Sequence, residues 1–190
     1  LNHGAPPVVD AALAADEWLR ARAGDRSAFA ALVHRHRNGV FSLALRMLGS
    51  RASADDLAQE VFIQLHSHLP TLESAEHLLF WLRRVTTHRA IDQLRRRTRL
   101  ALAPLDDAAD LAGEPDTGDP LLQRRLRQLL LDLKPDARAV MILRFQEDLD
   151  PVEIAGVLEM PVNTVKSHLK RSLDTLRSTL TGAPPVEDIP

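Results

Sequence analysis

Residues 150–180 read DPVEIAGVLEMPVNTVKSHLKRSLDTLRSTL, two helical patterns separated by a very short break, the layout of a helix-turn-helix. Asp150 stands as an N-cap, Pro151 fits a first helical turn, and Glu153 sits where a capping box places its reciprocal acid. Ile154, Val157 and Leu158 give this first helix one apolar stripe. Pro161 restarts the chain in a second helix, on which Val162, Val165, Leu169, Leu173 and Leu176 recur at spacings of three and four. Its other face carries Asn163, Thr164, Ser167, His168, Lys170 and Arg171. Amides and hydroxyls read base edges while Lys and Arg hold phosphates, so this face suits a recognition helix in the DNA major groove. The same pattern also fits a helical hairpin with a solvated polar face.

Working outward, the 190 residues are enough for one ordinary domain or two small ones, and a hydrophobic content of 45% can build a core. Few Gly, no Tyr and abundant Ala, Leu and Arg favour helix over sheet. The fold class expected is all-α: two small helical bundles joined by a flexible acidic linker, the C-terminal one containing the helix-turn-helix. With no Cys, disulfides, cysteine zinc sites and thiol redox sensing are excluded. No apolar run approaches a membrane span and the N-terminus lacks a signal-peptide layout, so a cytoplasmic location is expected. Residues 1–10, which open on Leu rather than Met, are expected to be a disordered, processed end.

Residues 11–99 form the first expected bundle. Leu13, Trp18 and Leu19 give helical spacing between Ala11 and Ala23. A second helix after Asp25 runs to Leu48, with Phe29, Leu32, Val33, Val40, Phe41, Leu43, Ala44 and Met47 inward and Gly49 as its stop. Ser53 with Asp56 suggests a capping-box start for a third helix to about His68, whose inward stripe is Leu57, Val61, Phe62, Leu65 and Leu69. Its outer side presents Asp56, Gln59, Glu60 and Ile63, an acidic strip with one aliphatic residue. After a loop from Pro70 to Glu73, Ser74 caps a fourth helix to about Arg97. Leu78, Leu79, Phe80, Trp81, Leu82 and Val85 make its first half apolar nearly all round, which predicts burial. Its second half carries Arg83, Arg84, Arg89, Arg95, Arg96 and Arg97, then Arg99, against the single acid Asp92, a phosphate-binding footprint.

Residues 100–118 are acidic, broken by Pro and Gly and without apolar periodicity, and read as a flexible linker. Their carboxylates cancel the basic helix end, which is why the formal charge is only −2, and they stand to shield the Arg cluster when DNA is absent. Residues 119–181 then supply the second bundle: a helix from Pro120 to Leu133, one from Pro135 to about Gln146, and the helix-turn-helix. Residues 182–190 are a tail.

Nucleotide loops, HExxH, EF-hand loops and nucleophile elbows are absent from the sequence. His34 with His36, and His66 with His68, are two apart, which on a helix points them to different faces rather than at one metal. No catalytic residue, metal site or cofactor is expected.

Three segments resemble one family: ADDLAQEVFIQLHSHL (residues 54–69), FWLRRVTTHRAIDQLRRRTR (80–99) and LDPVEIAGVLEMPVNTVKSHLKRS (149–172). Together they are similar to regions 2 and 4 of the extracytoplasmic-function (ECF) sigma factors of bacterial RNA polymerase, in order and spacing, from Ala14 to Leu180. The resemblance implies a non-enzymatic subunit that binds core RNA polymerase and directs promoter-specific initiation. It gives Asp56, Gln59, Glu60 and Ile63 a partner in the clamp helices of the largest subunit. It makes Thr71, Leu72, Arg84 and His88 base-proximal residues at the melted minus-10 element, with Arg95 and Arg96 on the backbone and Trp81 in the supporting core. Asn163, Thr164, Ser167, His168, Lys170 and Arg171 would read the minus-35 duplex while their bundle touches the polymerase flap. An anti-sigma factor is a further implied partner.

The sequence also departs from the family. Gly is common where Glu159 stands, so Glu159 is expected either to adopt positive φ itself or to change the turn. Asn163 and His168 replace a common Gly and Arg, His88 stands where Asn is frequent, and Leu72 where an aromatic often stacks; a promoter sequence therefore cannot be borrowed from a relative. An autonomous helix-turn-helix regulator binding duplex DNA as a dimer is the alternative, and an interaction protein that never reads DNA is a third. Neither needs both an acidic docking helix and a basic strand-capture helix.

Overall fold

A computed structural model describes residues 8–100 and 119–181, and all its regular structure is helical. Residues 1–7, 101–118 and 182–190, most of the expected termini and linker, lie outside these residues, whereas Val8, Val9 and Asp10, expected to be disordered, begin the first helix. Four long helices come first: α1 (Val8–Arg22), α2 (Arg26–Leu48), α3 (Arg51–His68) and α4 (Ala75–Arg99). Four shorter or amphipathic ones follow: α5 (Pro120–Asp132), α6 (Pro135–Phe145), α7 (Pro151–Leu158) and α8 (Val162–Thr181).

Local chemistry sets most of these boundaries. Asp25 caps α2 by accepting from the amides of Ser27 and Ala28, and Arg20 pairs with the same carboxylate. The Arg20 and Ser27 hydrogen bonds, with the capping amides, hold Asp25 well below the usual carboxylate range. Gly49 ends α2 at φ 71°, the left-handed position glycine fills without a Cβ penalty. The start of α3 differs from expectation. Its cap is Ser50, whose hydroxyl accepts from the Ser53 amide, so the helix begins one turn earlier and Ser53 is buried within it. Ser74 caps α4 as expected, through the His77 amide.

The inward stripes explain the packing, with corrections. Leu32, Val40, Leu43, Ala44 and Met47 of α2 meet Leu57, Val61 and Leu65 of α3 and Leu78 and Leu82 of α4. Trp18 anchors α1, but Leu19 is 55% exposed. The expectation that α4 is buried all round fails at Leu79 and Phe80, each 39% exposed, because only the Leu78, Leu82, Thr86 and Ala90 side faces the bundle. On α8 the buried stripe is Val165, Ser172 and Leu176 with partly buried Leu169, while Leu173 is turned out. A small serine at the inward position lets α8 approach its neighbours, and the seam runs through Ser172 rather than Leu173.

The two halves expected as separate bundles are packed together, and their buried side chains form one continuous cluster. α6 lies against α2 and α4, and α7 lies against α4. A key residue is Arg138 of α6, only 6% exposed. Its guanidinium donates to the carbonyl of Met47 at the end of α2 (2.5 Å) and to those of Leu131 and Leu133 at the end of α5. Burial lowers its pKa to about 10, so it stays a cation at neutral pH and supplies donors to helix ends that would otherwise be orphaned. Beside it, Leu131 fills the space over Gly49, where a Cβ would stand 3.0 Å from a Leu131 methyl.

Candidate nucleic-acid interface

The helix-turn-helix is built as its sequence reads. Asp150 accepts from the amides of Val152 and Glu153, and the Glu153 carboxylate accepts in return from the Asp150 amide (2.7 Å). Ile154, Val157 and Leu158 are buried. The turn between α7 and α8 consists of Glu159, Met160 and Pro161. Glu159 takes the left-handed conformation itself, φ 52° and ψ 43°, and its amide bonds the Ala155 carbonyl. For a residue with a Cβ that costs about 1–2 kcal/mol relative to glycine.

The polar face of α8 points away from the other helices. Asn163, Ser167, Lys170 and Arg171 are exposed, and Thr164 and His168 are half-buried at its edge. The Ser167 hydroxyl donates back to the Asn163 carbonyl and Arg171 Nε to the Ser167 carbonyl, which lays both side chains along the helix. The six residues named from the sequence thus share one helix, and most of them face outward.

The candidates on α3 and α4 meet a different environment. Asp56, Gln59, Glu60 and Ile63 are all exposed, Ile63 to 64%. Glu60 is nevertheless engaged by Arg89 of α4, which also donates to Gln64 at 2.8 and 3.0 Å. On α4, Arg84 donates to Glu159 (2.6 Å), His88 Nε2 lies 3.0 Å from the Val157 carbonyl, and Arg95 donates to both oxygens of Asp136 at 2.9 Å. Arg83 donates to Glu147 (2.9 Å) in a less exposed pair. Arg96 is exposed. A cleft of about 720 Å³ opens between α3, α4 and the α7–α8 turn, lined by Asp56, Glu60, Arg84, His88, Arg96 and Glu159 among others. Arg83, Arg84, Arg89 and Arg95 of α4 are thus paired with carboxylates, three of them from the second half.

Thr71 and Leu72 sit in a short 3₁₀ turn, Leu69–Thr71, and just beyond it. Thr71 is exposed and its hydroxyl donates to the His68 carbonyl (2.7 Å). Leu72 is only 8% exposed, its aliphatic side chain drawn into the core beside the turn. Trp81 is partly buried against that core, its ring 5.5 Å from that of His68. His66 meets Phe29 edge-on at 5.1 Å. Arg22 of α1 stacks over Trp18 and donates to the Pro70 carbonyl (3.2 Å), so α1 steadies this turn. Sequence reasoning missed Arg22, Arg138 and the acids Asp136, Glu147 and Glu159 as partners of α4. Only the left-handed position expected at Glu159 signalled any of them.

Residues 32–100 match the model of Sigma-70 region 2, and residues 123–176 that of Sigma-70 region 4. Among similar proteins, the ECF RNA polymerase sigma factor SigW of Bacillus subtilis is 28% identical over 170 residues, 83% of this chain and 91% of SigW. The ECF RNA polymerase sigma factor SigE of Mycolicibacterium smegmatis is 31% identical over 166 residues, 83% of this chain and 64% of SigE. The fold is shared with CnrH in its complex with the cytosolic domain of CnrY (TM-score 0.62, 24% identity, 88% of this chain and 97% of that one). It is also shared with the sigma factor RpoE bound to the anti-sigma factor NepR from Bartonella quintana (TM-score 0.64, 20% identity, 80% and 96%). The two regions and their order define the class, a sigma factor with regions 2 and 4. The chain belongs to the ECF sigma factors of bacterial RNA polymerase.

Proposed function

We propose that this chain works in the cytoplasm as the promoter-reading subunit of a polymerase holoenzyme and performs no chemistry of its own. α3 docks on core RNA polymerase through Asp56, Gln59, Glu60 and Ile63. An acidic strip around an exposed aliphatic residue suits a basic coiled-coil surface such as the clamp helices of the largest subunit. α8 reads the minus-35 duplex through Asn163, Thr164, Ser167, His168, Lys170 and Arg171, with its bundle against the flap of the second-largest subunit. α4 and the turn before it hold the melted minus-10 strand through Thr71, Arg84, His88, Arg95 and Arg96. Melting is driven by binding, as duplex pairing is exchanged for contacts to a pocket and cations. An anti-sigma factor is the expected regulator, as NepR is the partner in the solved complex of the sigma factor RpoE.

The observation that carries this reading is one chain with two separate polar surfaces, an outward recognition helix and a basic helix beside an exposed acidic docking strip. An autonomous dimeric regulator has no use for the second. The test is permanganate footprinting of promoters selected from a genomic library. Core polymerase with the chain is expected to expose unpaired thymines near minus 10, and neither alone to do so. Opening by core alone, or tight operator binding by the isolated chain without opening, contradicts the proposal.

A further inference from the structure

The two arginines in the last turn of α1 serve different neighbours. Arg20 pairs with Asp25, the cap of α2. Arg22 reaches a residue 48 positions further on, where its Nε donates to the Pro70 carbonyl at 3.2 Å. Its guanidinium lies 5.3 Å over the ring of Trp18, which is only 6% exposed, so this donor rests on a side chain that the core holds in place. Pro70 and Thr71 belong to the 3₁₀ turn that leads from α3 to α4, and both are exposed, so packing alone does not hold them. Behind them the Leu72 amide donates to the Leu69 carbonyl (3.2 Å) and the Leu72 side chain is buried. The Thr71 hydroxyl donates to the His68 carbonyl at 2.7 Å, and this bond fixes its polarity. A hydroxyl has one proton and two lone pairs; with the proton given to His68, Thr71 Oγ1 offers only lone pairs to whatever approaches from outside. An oxygen of that kind suits the exocyclic amine of cytosine or adenine. Thymine and guanine carry a keto oxygen at the corresponding place, and two acceptors would then face each other.

We propose that Arg22 is the positioning residue of the strand-capture turn: by tying the Pro70 carbonyl to α1 it keeps Thr71 presenting an acceptor, and the turn thereby selects an unpaired base that carries an exocyclic amine. The proposal rests on the reading of Thr71 as base-proximal. Arg22 itself need not touch DNA. Without its hydrogen bond the exposed turn is free to leave this conformation, and a Thr71 released from His68 can turn its proton outward and take a keto base as well. The loss is therefore one of discrimination between bases, not of affinity for every strand.

Holoenzyme reconstituted with core polymerase is titrated with fluorescent single strands that span the non-template minus-10 element of a promoter selected from a genomic library. Each cytosine in turn is replaced by uracil and each adenine by hypoxanthine, exchanges that put a keto oxygen in place of the amine. Wild type is expected to bind the exchanged strand less tightly at one position, and the ratio of the two affinities there is the readout. Arg22→Met keeps an apolar stem over Trp18 and removes the donor. It is expected to cut this ratio by about three- to tenfold, the span of one net hydrogen bond. Its affinity for core polymerase and for the minus-35 duplex is expected to match wild type, which also reports an intact fold. Arg22→Lys restores a cationic donor and is expected to recover part of the ratio. Thr71→Val removes the acceptor, and adding Arg22→Met to it is expected to change nothing further. An equal ratio in wild type and Arg22→Met, a uniform loss on every strand, or a further loss in the double variant overturns the positioning role. Wild-type binding with no amine-sensitive position overturns the selection of an amine. Failure of wild-type holoenzyme to bind any of these strands removes the reading of the turn itself, and the inference with it.

Discussion

The two helices proposed to meet DNA are treated in opposite ways by the same fold. α8 turns its polar face outward, with Asn163, Ser167, Lys170 and Arg171 exposed, and buries Val165, Ser172 and Leu176 behind it. α4 carries the denser positive charge, yet Arg83, Arg84, Arg89 and Arg95 are all engaged by carboxylates of the same chain. Local charge density is thus a poor guide to which surface is available. The helix proposed to hold an unpaired strand has four of its arginines paired within the chain, whereas the proposed duplex reader keeps its polar face open.

The largest expected effect comes from the residue that fastens both halves. Arg138→Met leaves the carbonyls of Met47, Leu131 and Leu133 without their buried donor and is expected to cost about 3 kcal/mol in urea unfolding. A loss well under 1 kcal/mol would mean that water reaches these carbonyls freely and the halves part easily, which breaks the contrast between an open and a covered helix.

How far this was legible in the sequence depends on distance along the chain. The Asp150–Glu153 capping box, the Gly49 stop and the Ser74 cap are local, and the structure has them where the sequence puts them. Near misses are also local: Ser50 rather than Ser53 begins α3, since both serines precede the same apolar run and only the fold selects the earlier one. Spacings of three and four put Leu173 inward with Leu169 and Leu176, but the seam of α8 runs through Ser172 instead. The covering of α4 was not legible. Its ion pairs span 64 residues for Arg83–Glu147 and 75 for Arg84–Glu159, and no spacing rule reaches that far. The acids expected to shield the Arg cluster lie within 101–118, outside the described part, and the acids found on it belong to α3, α6, the α6–α7 loop and the α7–α8 turn.

On the open side, Arg171→Ala is expected to weaken minus-35 duplex binding by roughly 1–3 kcal/mol in a fluorescence titration, with relaxed preference at one base pair. Equal losses on every duplex would make Arg171 a phosphate contact and leave the specificity with Asn163, Ser167 and His168.

The smallest effect sharpens the covered side. His36 lines a cavity of about 100 Å³ with Arg83, Thr86 and Glu147. Burial, and then the Arg35 cation, lower its pKa from the ordinary 6.5, against a weaker pull from Glu17. The folded chain therefore prefers His36 neutral, while the unfolded chain takes up the proton near 6.5, so stability drops as pH falls through that value toward the lower folded one. In melts from pH 7 to 5, His36→Gln is expected to flatten this part of the slope; an unchanged slope would place the responsible group elsewhere.

The contrast between the two helices is tested most directly by comparing one fluorescent minus-35 duplex and one fluorescent non-template minus-10 strand, each titrated with the chain alone and with reconstituted holoenzyme. The account expects the chain alone to bind the duplex measurably and the single strand hardly at all, with single-strand binding appearing when core polymerase is added. Equally tight single-strand binding by the chain alone and by the holoenzyme would contradict it.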